Sequence, residues 1–107
     1  MNRGLLCSIY ASVLNNDENK IREIYNDYYG SEKFIRILPD GVYPQTRFVK
    51  HSNYLDLSFS IDKRSNKIII ISAIDNLMRG ASSNAVANMN LAFRLDESQG
   101  LDLIPFF

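Results

Sequence analysis

The sequence predicts an α+β domain built on a largely antiparallel, mixed sheet with helices on one face. Three observations carry this. From Tyr54 to Ile61 the chain alternates, with Leu55, Leu57, Phe59 and Ile61 on one parity and Asp56, Ser58 and Ser60 on the other, which describes a half-buried strand. Ile68 to Ile71 do not alternate at all, so a strand made of them must be covered on both faces and belongs in the middle of a sheet. Two stretches, around Ile21, Ile24, Tyr25 and Tyr28 and from Leu77 to about Leu95, carry apolar residues at helical spacing.

Leu5 to Leu14 read as the first strand. Leu5, Cys7, Ile9, Ala11 and Val13 make one apolar face, while Leu6, Tyr10 and Leu14 share the other with Ser8 and Ser12. Asn15, Asn16 and Asp17 then supply a turn and an N-cap, and the first helix runs to a stop at Gly30. Lys20, Arg22, Glu23 and Asp27 give it a solvated side. A short strand, Phe34 to Leu38, closes at Pro39-Asp40-Gly41, where proline presets one dihedral angle and glycine frees another. Val42 to Gln45 are expected to be extended and irregular because Pro44 restricts Tyr43. Thr46 to Lys50 are expected to re-enter the sheet, interrupted by the polar patch His51-Ser52-Asn53. Residues 62–66 form a hairpin loop joining the alternating strand to the isoleucine strand, so those two are neighbours and antiparallel.

At Asp75-Asn76 the isoleucine strand gives way to a turn, and a helix is expected from near Leu77. Its first turn contains Gly80, Ala81, Ser82 and Ser83, small residues that let a ligand or another backbone come close. A helix start offers free N–H groups and the positive end of its dipole, to which Arg79 would add a full charge, so an anion or a carboxamide suits it. Tight packing of the helix on the sheet is the alternative role for the same small residues. In the tail from Gly100 to Phe107, Leu103, Ile104, Phe106 and Phe107 are too apolar to leave in water and should dock or enter an interface. Because the helices cover one face, the opposite face stays apolar around the first strand and the isoleucines, and a homo-oligomer formed through the sheet face is expected.

A chain of 107 residues is one domain with its own core. Twelve basic and twelve acidic residues without long runs of one sign argue against nucleic acid and acidic membrane as partners. The absence of a membrane-length apolar segment and of a signal-peptide pattern, with one cysteine, points to the cytoplasm. No complete catalytic set is present. His51 and Cys7 are the sole histidine and cysteine, which rules out a zinc site of the usual kind within one chain. Cys7 lies mid-strand on an apolar parity and reads as a packing thiol, and His51 as a surface residue. Asp56, Asp62 and Asp75 show no paired spacing and read as turn-forming or solvated. The five glycines form no phosphate-cradling loop, so no dinucleotide fingerprint exists here.

Arg36-Ile37-Leu38-Pro39-Asp40-Gly41, Tyr43-Pro44-Gln45-Thr46, Ser52-Asn53-Tyr54 and, above all, Ala73-Ile74-Asp75-Asn76-Leu77-Met78-Arg79-Gly80-Ala81, with Ala85-Val86 and Asn88-Met89-Asn90, resemble the N-acetyl-gamma-glutamyl-phosphate reductase family. The similarity covers about nine tenths of the chain, leaving the tail after Gly100 without a counterpart. This resemblance implies an NADP-dependent dehydrogenase of arginine biosynthesis, with a Rossmann domain followed by a catalytic domain similar to those of glyceraldehyde-3-phosphate and aspartate-semialdehyde dehydrogenases. Met1-Asn2-Arg3-Gly4 matches the end of the family's His-x-x-Pro-Met-x-Arg-Gly element, so its general-base histidine would fall just before Met1, and its nucleophilic cysteine well upstream. Residues 1–107 then read as a fragment of a larger catalytic domain, lacking the Rossmann domain, with no catalytic residue of its own and an upstream segment as partner.

In the intact enzyme the implied chemistry is thiolate attack on an acyl phosphate, loss of phosphate, and hydride transfer from NADPH to the thioester, giving N-acetylglutamate 5-semialdehyde. By the same resemblance Asn76, Leu77, Arg79 and Gly80 approach the nicotinamide end of the cofactor, and Arg3 positions an anionic group of the substrate. The isolated chain is expected to be inactive and not to bind NADP alone. The family usually has lysine where Arg79 stands and glycine where His51 stands. A second function class stays open: a free-standing, self-associating interaction module without catalysis.

Overall fold

A computed structural model describes residues 1–106; Phe107, which belongs to the apolar tail, lies outside the described residues. Four strands and two helices follow in the order β1 (Leu5–Ser12), α1 (Glu18–Tyr29), β2 (Ile35–Ile37), β3 (Leu55–Asp62), β4 (Lys67–Ile74) and α2 (Ser83–Ala92). The sheet order is β1-β4-β3-β2. The isoleucine strand β4 is central, antiparallel to β1 from Leu5 opposite Ile74 to Ser12 opposite Lys67, and antiparallel to β3 from Leu55 opposite Ile74 to Asp62 opposite Lys67. β2 joins β3 in parallel, with Arg36 opposite Asp56, so the sheet is mixed and largely antiparallel as expected.

These registers put Leu5, Cys7, Ile9 and Ala11 on one face with Ile68, Ile70 and Ile74 and with Leu55, Leu57, Phe59 and Ile61. α1 lies over that face. Its start is fixed by Asp17, whose carboxylate accepts from the N–H groups of Asn19 and Lys20, and Tyr25 stacks on Phe59 at 5.0 Å between ring centroids. Arg22 lies 4.8 Å from the same ring. The cover is incomplete, because Ile24 and Tyr28 face outward and β1 is open along most of its length. Of the four consecutive isoleucines only Ile68 is buried, so within this chain the expected two-sided cover of β4 is not reached.

The predicted strand at Thr46–Lys50 is instead a 3-10 turn, Thr46–Phe48. Pro44 cannot donate to a ladder, and the turn folds onto the sheet face opposite α1. There Val49 is fully buried, and Arg36 donates to the Phe48 carbonyl at 3.0 Å.

The predicted helix from Leu77 to Leu95 is also shorter. Residues Met78–Ser82 form a π-helical turn, and the α-helix begins only at Ser83. It ends at Ala92 because Arg94 adopts a left-handed φ of 56° and the Leu95 N–H reaches back to the Asn90 carbonyl at 2.8 Å. Ala87 of α2 packs with Phe34 and Leu101 in a buried cluster bordered by Tyr54 and Val86. Buried Asn90 donates to the carbonyls of Glu97 and Gln99, folding the following loop under the helix. The tail therefore docks by Leu101; the Phe106 ring stacks on His51 at 4.1 Å but stays largely exposed, as do Leu103 and Ile104, so the expected burial of these apolar groups is not met within the described residues.

Candidate functional site

The end of β4 is organised by one side chain. Asp75 is fully buried, and its two oxygens divide four donors. Oδ2 accepts from Arg3 Nε and from the His51 N–H, each at 2.7 Å. Oδ1 accepts from the N–H groups of Leu77 at 2.9 Å and Met78 at 3.1 Å. Burial by itself would raise the Asp75 pKa, but the hydrogen bonds from His51, Arg3, Leu77 and Met78 outweigh it and hold the carboxyl below its ordinary value. Next to it the Asn76 side-chain oxygen accepts from the Gly4 N–H at 2.7 Å.

Gly4 has to be glycine. Its φ is 109°, and a Cβ there would lie 2.7 Å from Thr46 Cβ. The chain start is thus clamped between the 3-10 turn and the bend, which aims Arg3 at Asp75. Arg3 is held through Nε alone. Its side chain is 24% exposed, and its Nη nitrogens have no partner among the described residues. The left-handed φ of 63° at His51 is needed to present that N–H to Asp75. A glycine would take up this conformation without strain.

The bend differs from an ordinary helix start. The Gly80 N–H goes to the Asp75 carbonyl and the Ser82 N–H to the Leu77 carbonyl, both at 3.1 Å and both spanning five residues. With Leu77 and Met78 serving Asp75, most of the N–H groups expected to be free for an anion are spent internally, and among the described residues only those of Arg79 and Ala81 in the bend lack a partner. What faces outward is the surface of Leu77 and Gly80, both exposed, and the Asn76 amide nitrogen, which has no partner among the described residues. Gly80 has no left-handed φ, and a Cβ there would meet Ile74 only at 3.5 Å, so the fold itself does not demand glycine. Arg79 turns back instead, its guanidinium 5.8 Å from the Phe34 ring with Nη1 buried and unpartnered among the described residues.

The structure therefore brings Arg3, Asn76, Leu77 and Gly80 together around Asp75 and directs Arg79 elsewhere. Asp75, expected only to form a turn, was the residue missed; its separation of 72 positions from Arg3 leaves no local signal. Asp56 was missed for a different reason. It lies on the polar parity of β3, expected to be solvated, yet it is buried and accepts from Arg36 Nε at 2.6 Å, a pairing set by the β2–β3 register. That pair floors a separate open cleft of about 730 Å³ with Arg47, Tyr43, Phe48 and Pro105 on its walls, and the bend does not border it. Among the described residues no group of three or more His, Cys, Asp or Glu side chains is arranged to hold a metal, and no helix is long and apolar enough to cross a membrane.

Comparison with known proteins also defines an α+β domain of this kind. Residues 1–76 match the dimerisation domain of semialdehyde dehydrogenases, and the chain belongs to that family. It is similar to N-acetyl-gamma-glutamyl-phosphate reductase of Campylobacter jejuni subsp. doylei, 53% identical over 102 residues, covering 94% of this chain and 30% of the relative. The reductase of the same name from Lachnoclostridium phytofermentans is 46% identical over 108 residues, covering 100% of this chain and 31% of its own. That alignment takes in the tail, so the residues after Gly100 do have a counterpart, in keeping with their docking through Leu101. The fold is shared with aspartate semialdehyde dehydrogenase II from Vibrio cholerae, with a TM-score of 0.67 at 19% identity over 86% of this chain and 28% of that one. The chain thus spans about 30% of the length of the curated relatives it matches.

Proposed function

We propose that this chain is the C-terminal part of the catalytic and dimerisation domain of a cytoplasmic, NADP-dependent reductase that converts N-acetyl-gamma-glutamyl phosphate to N-acetylglutamate 5-semialdehyde in arginine biosynthesis. The cysteine nucleophile and histidine base belong to an upstream segment that also contributes the Rossmann domain. NADPH, when bound, supplies the hydride. The role of this chain is to shape the site: Asn76, Leu77 and Gly80 form the wall against the nicotinamide end, and Arg3 binds an anionic group of the substrate.

The observation that carries this reading is that the Asp75 carboxylate holds Arg3 and the bend together, so one side chain suited to an anion and one suited to a carboxamide are fixed in the same neighbourhood. The donor set fits. The free Asn76 amide nitrogen suits a carboxamide oxygen, and a glycine that the backbone does not require leaves room for a flat ring. Arg79 is proposed to support the bend from behind, against Phe34, without touching the cofactor.

Self-association through the sheet is the second part of the proposal. Leu6 and Tyr10, 51% and 67% exposed, line the face opposite α1, and the partly open Ile69 and Ile71 continue it. A second copy covers that surface.

The test of the cofactor wall is Gly80→Val in a full-length reductase carrying this segment. The backbone accepts a Cβ there, so folding is expected to survive while the KM for NADPH rises about tenfold or more, equivalent to about 1.4 kcal/mol of lost binding. Unchanged cofactor kinetics would remove the bend from the nicotinamide site.

A further inference from the structure

Arg3 alone does not explain how a flexible side chain near the chain start is made into a binding group. An arginine side chain has considerable rotamer freedom to lose on being fixed. Asp75 removes that freedom before any ligand arrives. Its Oδ2 holds Nε, the one guanidinium nitrogen that is not at the tip, and the Nη nitrogens remain without a partner among the described residues. The same carboxylate is itself immobile: fully buried, it is fixed by three backbone N–H groups, from His51, Leu77 and Met78.

We propose that Asp75 is the positioning residue of the site, setting the guanidinium plane of Arg3 so that its Nη edge meets the anionic group of the substrate at a fixed offset from the Asn76–Gly80 wall. This deepens the reading given above and rests on it, because it requires that Arg3 bind substrate. The geometry separates positioning from charge supply. Arg3 offers a planar fork, held at one corner and free at the other two, and lysine cannot reproduce this because its three donors radiate from one nitrogen and cannot meet Asp75 and the ligand at the fork's spacing and in its plane. Asparagine at position 75 would also fail, since its amide can keep the Leu77 and Met78 donors or the Arg3 donor, but not all of them.

The test is a double-mutant cycle in a full-length reductase carrying this segment, with KM and kcat measured separately for the acyl phosphate and for NADPH. Arg3→Met is expected to raise the acyl-phosphate KM by about 30-fold, leaving the NADPH KM within about twofold. Asp75→Asn should raise the same constant by about tenfold, and the double variant should be no worse than Arg3→Met alone, because Asp75 acts through Arg3. Arg3→Lys, which leaves Asp75 and the fold untouched, should behave like Arg3→Met, providing a second reading if Asp75→Asn does not fold. Losses that multiply in the double variant, or an Arg3→Lys variant with the wild-type substrate KM, would overturn the positioning role while leaving Arg3 as a binding residue. An Arg3→Met variant with unchanged substrate kinetics would instead overturn the assignment of Arg3 itself, and the positioning role with it.

Discussion

The Asp75 end of β4 and the open face of the sheet are built on opposite principles. At the Asp75 end the polar groups find partners inside the chain: one buried carboxylate takes four donors and the neighbouring asparagine takes a fifth, from Gly4. Along β1, on the sheet face opposite α1, apolar groups find few. Leu6 and Tyr10 are substantially exposed there, beside the partly open Ile69 and Ile71. A site that must present fixed groups to small molecules gains from being finished in advance, since binding then need not order it. A surface that is to meet another copy gains from being left unfinished, since its burial supplies the association energy.

The largest effect is expected where the finished end is broken. Asp75→Ala leaves a part-buried guanidinium and three backbone N–H groups without their acceptor, and should cost about 3 kcal/mol of folding free energy, measured by urea denaturation of the chain at pH 7. The pH dependence has a definite sign. Asp75 titrates below its ordinary value in the folded state, so its contribution is complete above the unfolded carboxyl pKa of about 3.9 and is lost as the pH falls below that toward the folded value. Stability in the wild type should therefore decline through that acid window, and the Asp75→Ala variant should decline less. Equal acid slopes in the two proteins would mean that the carboxylate is not held by its four donors.

A smaller effect belongs to the unfinished flank. Tyr10→Lys puts a charge on an exposed position of an edge strand, where the monomer should change by less than about 0.5 kcal/mol. Self-association measured by sedimentation should weaken by about tenfold or more, because a lysine would have to be desolvated in the interface. If the dimer is unaffected while Leu5→Lys or Ile9→Lys on the α1 face abolishes it, the chain associates through the other face of the sheet.

Much of the sheet was legible because its signals are local. The alternation in β3, the isoleucine run and the Asp17 cap each depend on residues within one element. What was not legible required knowing what crosses over what. Thr46–Phe48 have the composition of a short strand, and it takes the close approach of Gly4 to Thr46, 42 positions away in the chain, to hold them in a turn. The end of α2 escaped notice because a left-handed arginine, Arg94, occupies the place where glycine normally announces a stop. The small residues of the bend were legible as a place of close approach, but not that the Leu77, Met78, Gly80 and Ser82 N–H groups there serve Asp75 and the π turn. Partners brought in from Arg3 and His51 have no trace in the spacing around residue 75.

His51 joins the two principles, and the smallest expected effect is there. Its backbone holds a left-handed φ of 63° to donate to Asp75, which glycine would do without strain, and its ring stacks on Phe106 of the tail at 4.1 Å. His51→Gly relieves the backbone in the folded state, adds freedom to the unfolded chain and deletes the stack, terms of opposite sign each on the order of 0.5–1 kcal/mol. Global stability should therefore move by less than about 0.5 kcal/mol. The tail should respond more than the domain does. With the ring gone, Phe106 keeps the hydrogen bond from its N–H to the Lys50 carbonyl at 3.3 Å, and hydrogen exchange at Phe106 should quicken while exchange at Leu77 and Met78 stays slow. Faster exchange at Leu77 and Met78 in the variant would show that the histidine ring, and not the backbone alone, stiffens the Asp75 junction.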